Sequence, residues 1–277
     1  MRRLINIHPS RGVGQILLIL PFVLMLLGYN AASNARLEEN PQDRLLPSFS
    51  SMGDAITRLA FEEDRRSGDY LFWVDTLASL ERLAYGVGAG ASAGLLLGVL
   101  AGLLPIVRAP LSPLLAATAM VPPLALLPIL FITVGMEEAS KIVLIAIGVG
   151  PFIARDLEGR IREIPAEELI KAQTLGAGTW RTLVRIVLPQ ILPRLLDAIR
   201  LSLGAAWLFL IAAEAIAATE GLGYRSFLVR RYLAMDVILP YVVWITVLAW
   251  LTDYALRRAN DFFFPWLRLE RRADPST

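Results

Sequence analysis

Residues 83–107 read LAYGVGAGASAGLLLGVLAGLLPIV, twenty-five positions without one charged side chain. A bilayer core of ~30 Å is crossed by ~20 apolar residues in a helix, so this run is long enough to span. A soluble helix buries one stripe and shows a polar face opposite it, and this stretch has no polar face. Two more runs share the property, 12–35 and 109–136. Apolar residues make up 56% of the 277-residue chain. Their gathering into uncharged runs, more than their number, predicts an all-α integral membrane protein. Inside the first run, Gly86, Gly90, Gly94, Gly98 and Gly102 recur at every fourth position and form one ridge. Helices in lipid gain little from burying apolar surface against each other, so a small-residue ridge predicts close backbone packing against a neighbour.

Outward from this helix, expected at 76–104, the chain offers five more spans. They are expected at 13–32, 110–135, 140–154, 195–219 and 237–256. The first follows Arg2, Arg3 and Arg11 and precedes small residues, as a signal peptide would. Its uncharged stretch is longer than a signal core and reads as a retained helix. Between the first two spans, Met52, Ile56, Leu59, Ala60 and Phe61 fall at helical spacing, which predicts a short amphipathic helix. The third span carries Pro122, Pro123 and Pro128. Adjacent prolines remove backbone donors and bend a helix. Freed backbone groups at membrane depth are tolerated where they are buried in protein or line a wet cavity, so this span is expected to face the protein interior or a pathway. The fourth has a short uncharged part, and Lys141 is expected to snorkel to the surface. The fifth carries Glu214. An ionisable group at that depth is costly and marks function.

Charge balance gives orientation. With a cytoplasmic N-terminus, sixteen Lys and Arg fall inside and nine outside, as the positive-inside rule requires. Both termini are then cytoplasmic. The chain has 27 basic and 25 acidic residues, a balance that does not suggest nucleic acid. It has no cysteine and one histidine, His8. Disulfides, thiol catalysis and a histidine-based metal site within one chain are thereby excluded. Lys141 and Lys171, the only lysines, follow Ser140 and Ile170. There is no Gly-Lys pair and hence no P-loop.

Residues 164–193, IPAEELIKAQTLGAGTWRTLVRIVLPQILP, lie on the expected cytoplasmic side. They read as a helix opening after Pro165, a break at Gly176–Ala177–Gly178, and a second helix ending near Pro189. Glu167 and Glu168 occupy the first turn, where the helix dipole favours negative charge. Ala172, Gly176 and Ile186-Val187-Leu188-Pro189 keep the spacing of the EAA loop, so the stretch resembles that of binding-protein-dependent ABC importer permeases. Ile170 and Lys171 stand where that family has Glu and Ala. The sequence alone leaves open whether Glu167 and Glu168 take over for the missing glutamate. Further segments are similar to the nitrate/sulfonate/taurine-type branch. They are Leu46-Pro47-Ser48, Ser79-Leu80-Glu81-Arg82 with Gly86, the run from Pro122 to Pro128 with Gly135, and Glu214 with Gly221-Leu222-Gly223-Tyr224.

The resemblance implies a six-span ABC importer permease with a cytoplasmic coupling helix. It divides the chain into an N-terminal part, 1–45, a permease core, 46–260, and a basic tail, 261–277. It implies that Glu167, Glu168, Ala172, Gly176, Ile186, Leu188 and Pro189 couple to a separate cytoplasmic ATPase, which carries ATP and Mg. Pro122, Pro123, Pro128 and Glu214 would serve the pathway or its gating. A periplasmic binding protein would deliver the solute, and a second permease subunit, more readily an identical copy than a different chain, would complete the pathway. The implied location is a bacterial inner membrane. The implied solute is small and polar: nitrate, a sulfonate such as taurine, bicarbonate, cyanate or a urea-like compound. An ATP-independent transporter or channel, with Glu214 as a proton or ion site, is the competing reading.

Overall fold

The structure is a computed structural model that describes residues 10–266 apart from 42 and 66. Arg2, Arg3, His8, Arg66 and the tail beyond 266, all read above for charge or chemistry, lie outside the described residues. The described chain forms helices joined by short turns, with no strand among the described residues. It divides into two compact units.

One unit contains the chain up to Tyr70 together with Val229–Pro240. Its long helix, α1 (Arg11–Glu39), exposes its apolar side chains all round. A helix that is apolar on every face suits a membrane and not water. Its far end is tied down by side chains. The buried Ser33 hydroxyl donates to the Leu46 carbonyl at 2.9 Å, and the Tyr29 hydroxyl donates to the Pro47 carbonyl at 2.7 Å. In the loop that follows, the Leu45 N–H and the Arg36 guanidinium hold the Asp43 carboxyl below the ordinary carboxylate range. Helix α2 (Phe49–Phe61) starts at Ser48, whose hydroxyl accepts the Ser51 N–H at 3.2 Å. Such a cap satisfies a helix-end donor. This is the amphipathic helix that the spacing of Met52, Ile56 and Leu59 predicts, with Ala55 and Ala60 buried.

The other unit contains Leu71–Leu228 and the chain from Tyr241 onward. Its centre is the pair α3 (Leu71–Leu103) and α6 (Glu138–Arg162). All five ridge glycines face α6. A Cβ placed at Gly86 would lie 2.6 Å from Cβ of Ile145, and one at Gly94 2.9 Å from Cβ of Ile153. At Gly98 it would lie 2.7 Å from the Ala154 carbonyl oxygen, and at Gly102 2.7 Å from Cβ of Ile161. Residue numbers rise together along both helices, so α3 and α6 run in the same direction.

The proline-rich span differs from the single kinked helix expected at 110–135. It opens earlier, as α4 (Pro105–Met120), breaks, and resumes through a 3-10 turn (Pro123–Leu126) into α5 (Leu127–Thr133). The two halves meet at 86°. The cause is local. A residue before proline is pushed out of the α region, and both Val121 and Pro122 precede prolines. Their ψ angles are 124° and 115°, extended values.

Helix α6 runs further than the expected 140–154 and takes in the charged residues up to Arg162. Lys141 does not snorkel. It is 2% exposed and pairs with Glu138 at 2.7 Å, because a carboxylate one turn earlier supplies the charge that the surface would otherwise have to offer. Beyond it come α7 (Ala166–Thr174), α8 (Thr179–Thr182), a π turn (Leu183–Val187), α9 (Leu188–Ala217), α10 (Leu222–Arg230) and α11 (Met235–Phe263). Pro189 does not end a helix. The preceding π turn, in which the Leu188 N–H bonds the Leu183 carbonyl, widens the coil so that helix continues through the proline. Helix α11 also continues past the expected end at 256, with Asp253 paired to Arg200 of α9 at 2.8 Å. Among the described residues, four helices are long and apolar enough to cross a bilayer (α1, α3, the helix ending as α9, and α11), or five with the bent α4–α5 pair.

Gly98→Ala places a methyl group against backbone, which cannot step aside. Overpacking of this kind costs about 1–3 kcal/mol, so the detergent-extracted protein should melt at a lower temperature. Gly88→Ala, whose Cβ meets nothing within 4 Å, should leave the melting temperature unchanged. Equal behaviour of the two variants in a thermal-shift assay would refute the seam.

Candidate functional site

The loop between α6 and α9 is shaped by its end signals. Pro165, extended at ψ 129°, opens α7, and Glu167 and Glu168 sit in its first turn. The helix closes on glycine. The Gly176 N–H bonds the Gln173 carbonyl and the Ala177 N–H bonds the Ala172 carbonyl, each at 2.9 Å. Gly176 takes φ +77°. This pair of bonds around a left-handed glycine is the Schellman C-cap. Glu168 accepts a hydrogen bond from the Gln190 side chain at 3.0 Å, which ties α7 to the start of α9.

Ala172 and Ile186 come together on a shallow groove of about 510 Å³, beside Lys171, Leu175, Arg181 and Arg185. Leu188 and Pro189 do not line it; they are half-buried in the first turn of α9. The rim of the loop is apolar and open to solvent, with Leu175 87% and Trp180 73% exposed. A protruding helix with bare apolar side chains is a surface made for contact.

At the opposite end of α3 and α6 lies a buried ion cluster. Glu214 is wholly buried. It accepts from Nη1 of Arg82 at 2.8 Å, from the Ser79 hydroxyl at 2.8 Å and from the Gly223 N–H at 2.9 Å. Its partners within the chain come from α3 and from the residues just after α9. Arg82 also pairs with Glu138 of α6 and donates to the Glu220 carbonyl at 2.8 Å. Two turns nearer the start of α3 than Arg82, Asp75 accepts from the Gly221 N–H, from Arg225 at 2.7 Å and from the Tyr241 hydroxyl at 3.1 Å. Gly221 sits at φ +121°, and a Cβ there would lie 2.6 Å from the Glu214 carboxyl and 2.7 Å from Nη1 of Arg82. Only a glycine lets the turn enter this ion pair.

Sequence reasoning found Glu214 but missed Asp75, Ser79, Arg82, Arg225 and Tyr241 as its company. The signal was available: Asp75 and Arg82 stand two turns apart on one face of an otherwise apolar helix. The three prolines named with Glu214 for the pathway or its gating lie in other elements. Pro122 makes the break, Pro128 opens α5, and Pro123 lines a cavity with α6 and α9.

Residues 94–269 match the family described as binding-protein-dependent transport system inner membrane component. The chain belongs to this family. It is 35% identical over 198 residues to the taurine transport system permease protein TauC of Escherichia coli K12, covering 72% of each chain. It is 33% identical over 189 residues to the putative aliphatic sulfonates transport permease protein SsuC of Bacillus subtilis, covering 68% of each. The family member is thus a multi-pass membrane transport component of the nitrate/sulfonate/taurine branch. In fold it is similar to a chain of the MetNI methionine ABC transporter in an inward-facing conformation, with a TM-score of 0.62 and 23% identity. That match covers 71% of this permease and 98% of the other chain.

The ion cluster predicts an asymmetry. In Arg82→Met, Glu214 keeps its charge, fully buried, with no cation, and stranding one member of a buried pair costs about 3–5 kcal/mol. In Glu214→Gln, Arg82 still has Glu138. Arg82→Met should therefore lose most membrane-extracted, folded permease, and Glu214→Gln should keep most of it. The reverse order, read by size-exclusion recovery, would overturn the assignment of Arg82 as the compensating charge.

Proposed function

We propose that this permease is the membrane-spanning subunit of an ATP-driven importer for a small polar solute, with α7 as the coupling helix that docks on a separate ATPase. The observation that carries the reading is the capped, protruding α7 with its bare apolar rim, at the end of the bundle away from the ion cluster. ATP and Mg belong to that partner, since the chain has no P-loop. A periplasmic solute-binding protein and a second copy of this chain complete the assembly. Glu167, Glu168, Ala172, Gly176 and Ile186 act in or beside the contact. Leu188 and Pro189 anchor it to α9.

Six crossings are supported by chain direction. Because α3 and α6 run parallel, the chain must return across the membrane between them, and the α4–α5 pair is the segment that lies there. The spans are then α1, α3, α4 with α5, α6, α9 and α11, with both termini cytoplasmic in a bacterial inner membrane. Helix α6 belongs to the set despite its charges. Lys141 is neutralised by Glu138, and the charges from Arg155 onward lie toward the cytoplasmic end. Pro122 and Pro123 supply the break that a gate can use. Glu214 already has a cation and a full set of donors, which favours a structural role over proton transport and with it the ATP-driven reading. Relatives named for taurine and aliphatic sulfonates favour a sulfonate over nitrate, bicarbonate, cyanate or a urea-like solute.

The test is Gly176→Asp. A Cβ at this position meets nothing within 4 Å inside the chain, and Asp tolerates the left-handed region better than most residues. The variant should therefore insert and fold. It should lose the ATPase on purification, and lose solute-stimulated ATP hydrolysis with it. Full recovery of the ATPase together with normal transport would reject α7 as the coupling helix.

A further inference from the structure

Between α4, the proline break, α6 and α9 lies a cavity of about 620 Å³. Most of its wall is apolar, from Ile147, Pro151, Phe152, Leu201 and Phe209. Four polar side chains also line it: Thr118, Ser202, Arg155 and Asp156. Their hydrogen-bonding capacity is unequal. The Thr118 hydroxyl donates to the carbonyls of Leu114 and Leu115, and the Ser202 hydroxyl donates to the Ile199 carbonyl at 2.8 Å. Both hydroxyl protons are used, and only lone pairs remain for a visitor. Asp156 faces Arg160 one turn along α6 at 3.9 Å. Arg155 is exposed, and no hydrogen bond or ion pair engages it among the described residues. The cavity therefore offers one unspent donor group, and that group is cationic.

Its level in the helix matters. At 1.5 Å per residue, Arg155 lies roughly 25 Å from the Glu138 end of α6 and roughly 10 Å from the Arg162 end. Phe209, seated against Gly148, and Ile147 line the cavity on the side nearer the Glu138 end of α6. A solute that passes Phe209 thus enters an apolar chamber with a guanidinium at its inner end. A guanidinium is a planar fork of N–H donors that matches a flat or trigonal oxyanion in bidentate fashion. Because Arg155 is exposed, its pull on an anion is that of a charge in a partly wet cavity, between the limits of bulk water and a dry interior.

We infer that Arg155 is a specificity-determining residue of the permease itself, receiving the oxyanion headgroup of the solute, a sulfonate or a similar small anion, in the cavity between α4, α6 and α9. This deepens the sulfonate reading above and rests on it for the identity of the solute, but not for the sign of its charge. A phospholipid phosphate has the same chemistry, and the test separates the two.

The natural absence of cysteine allows a direct measurement. Ala205 lines the cavity and is exposed, so Ala205→Cys puts a lone thiol in the wall. The complete complex with its ATPase, in proteoliposomes, is treated with an anionic thiosulfonate reagent bearing a sulfonate, or with its cationic trimethylammonium counterpart. The anionic reagent should react faster, and adding Arg155→Gln should lower the anionic-to-cationic rate ratio about fivefold, the size of effect that one charge exerts in a partly wet cavity. Arg155→Lys should keep the ratio. An unchanged ratio in Arg155→Gln overturns the inference. The preference should be the same in liposomes with and without anionic lipid, and a rise on removing anionic lipid would make a lipid headgroup the occupant of Arg155 and overturn the solute assignment. With taurine and ethanesulfonate as uptake probes, Arg155→Lys should raise KM severalfold, because charge is kept and the fork is lost. An unchanged KM in that variant counts against the site even if Arg155→Gln fails to assemble. If the wild-type complex takes up neither sulfonate, the solute class proposed above is wrong, while the labelling ratio still decides whether Arg155 handles anions.

Discussion

Five glycines of α3 bring its backbone against α6, and the rest of the larger unit is arranged around that contact. In lipid there is no water to expel from between two helices, so close packing and the weak attractions it collects must hold them. The ridge meets Ile145, Val149, Ile153, Leu157 and Ile161, a matching row at every fourth residue. A ridge of that length fixes more than distance. It sets the direction of α6 relative to α3, and thereby obliges the connecting segment to travel back across the layer.

That segment travels back as a broken rod. Its prolines are placed so that two consecutive residues must be extended, and the chain turns by 86° between α4 and α5. A straight helix there would close off the space between α4, α6 and α9. The break leaves a chamber instead, with Pro123 on its wall. The same seam carries both ends of the machine. At one end α6 continues as a charged helix into the α7 loop. At the other, its first turn supplies Glu138 and Lys141 to the ion cluster around Arg82.

The cluster is costly chemistry in a membrane chain, and its members compensate each other nearly completely. Asp75 and Ser79 of α3 accept the backbone N–H groups of Gly221 and Leu222, Glu214 accepts that of Gly223, and Arg82 donates to the Glu220 carbonyl, so the turn after α9 is fastened to α3. The turn cannot move without stripping partners from buried charges, so α3, the start of α6 and the end of α9 are joined as one body at this end.

The sequence by itself determined the helical class, the membrane setting, the glycine seam, the amphipathic α2 and the capped α7. Each depends on local or periodic information: uncharged run length, a four-residue repeat, a proline before a helix and a glycine after it. Sequence reasoning did not yield the partners of Glu214, the fate of Lys141, the continuation of helix through Pro189 or the lone cation in the cavity. The partners of Glu214 depend on residues such as Arg82, 132 positions away in sequence, being brought to it, while Lys141 and Pro189 are settled by a carboxylate one turn away and by the π turn before the proline. Only the tertiary structure decided them, because a charge reveals whether it is compensated, snorkelled or free only once its neighbours in space are known.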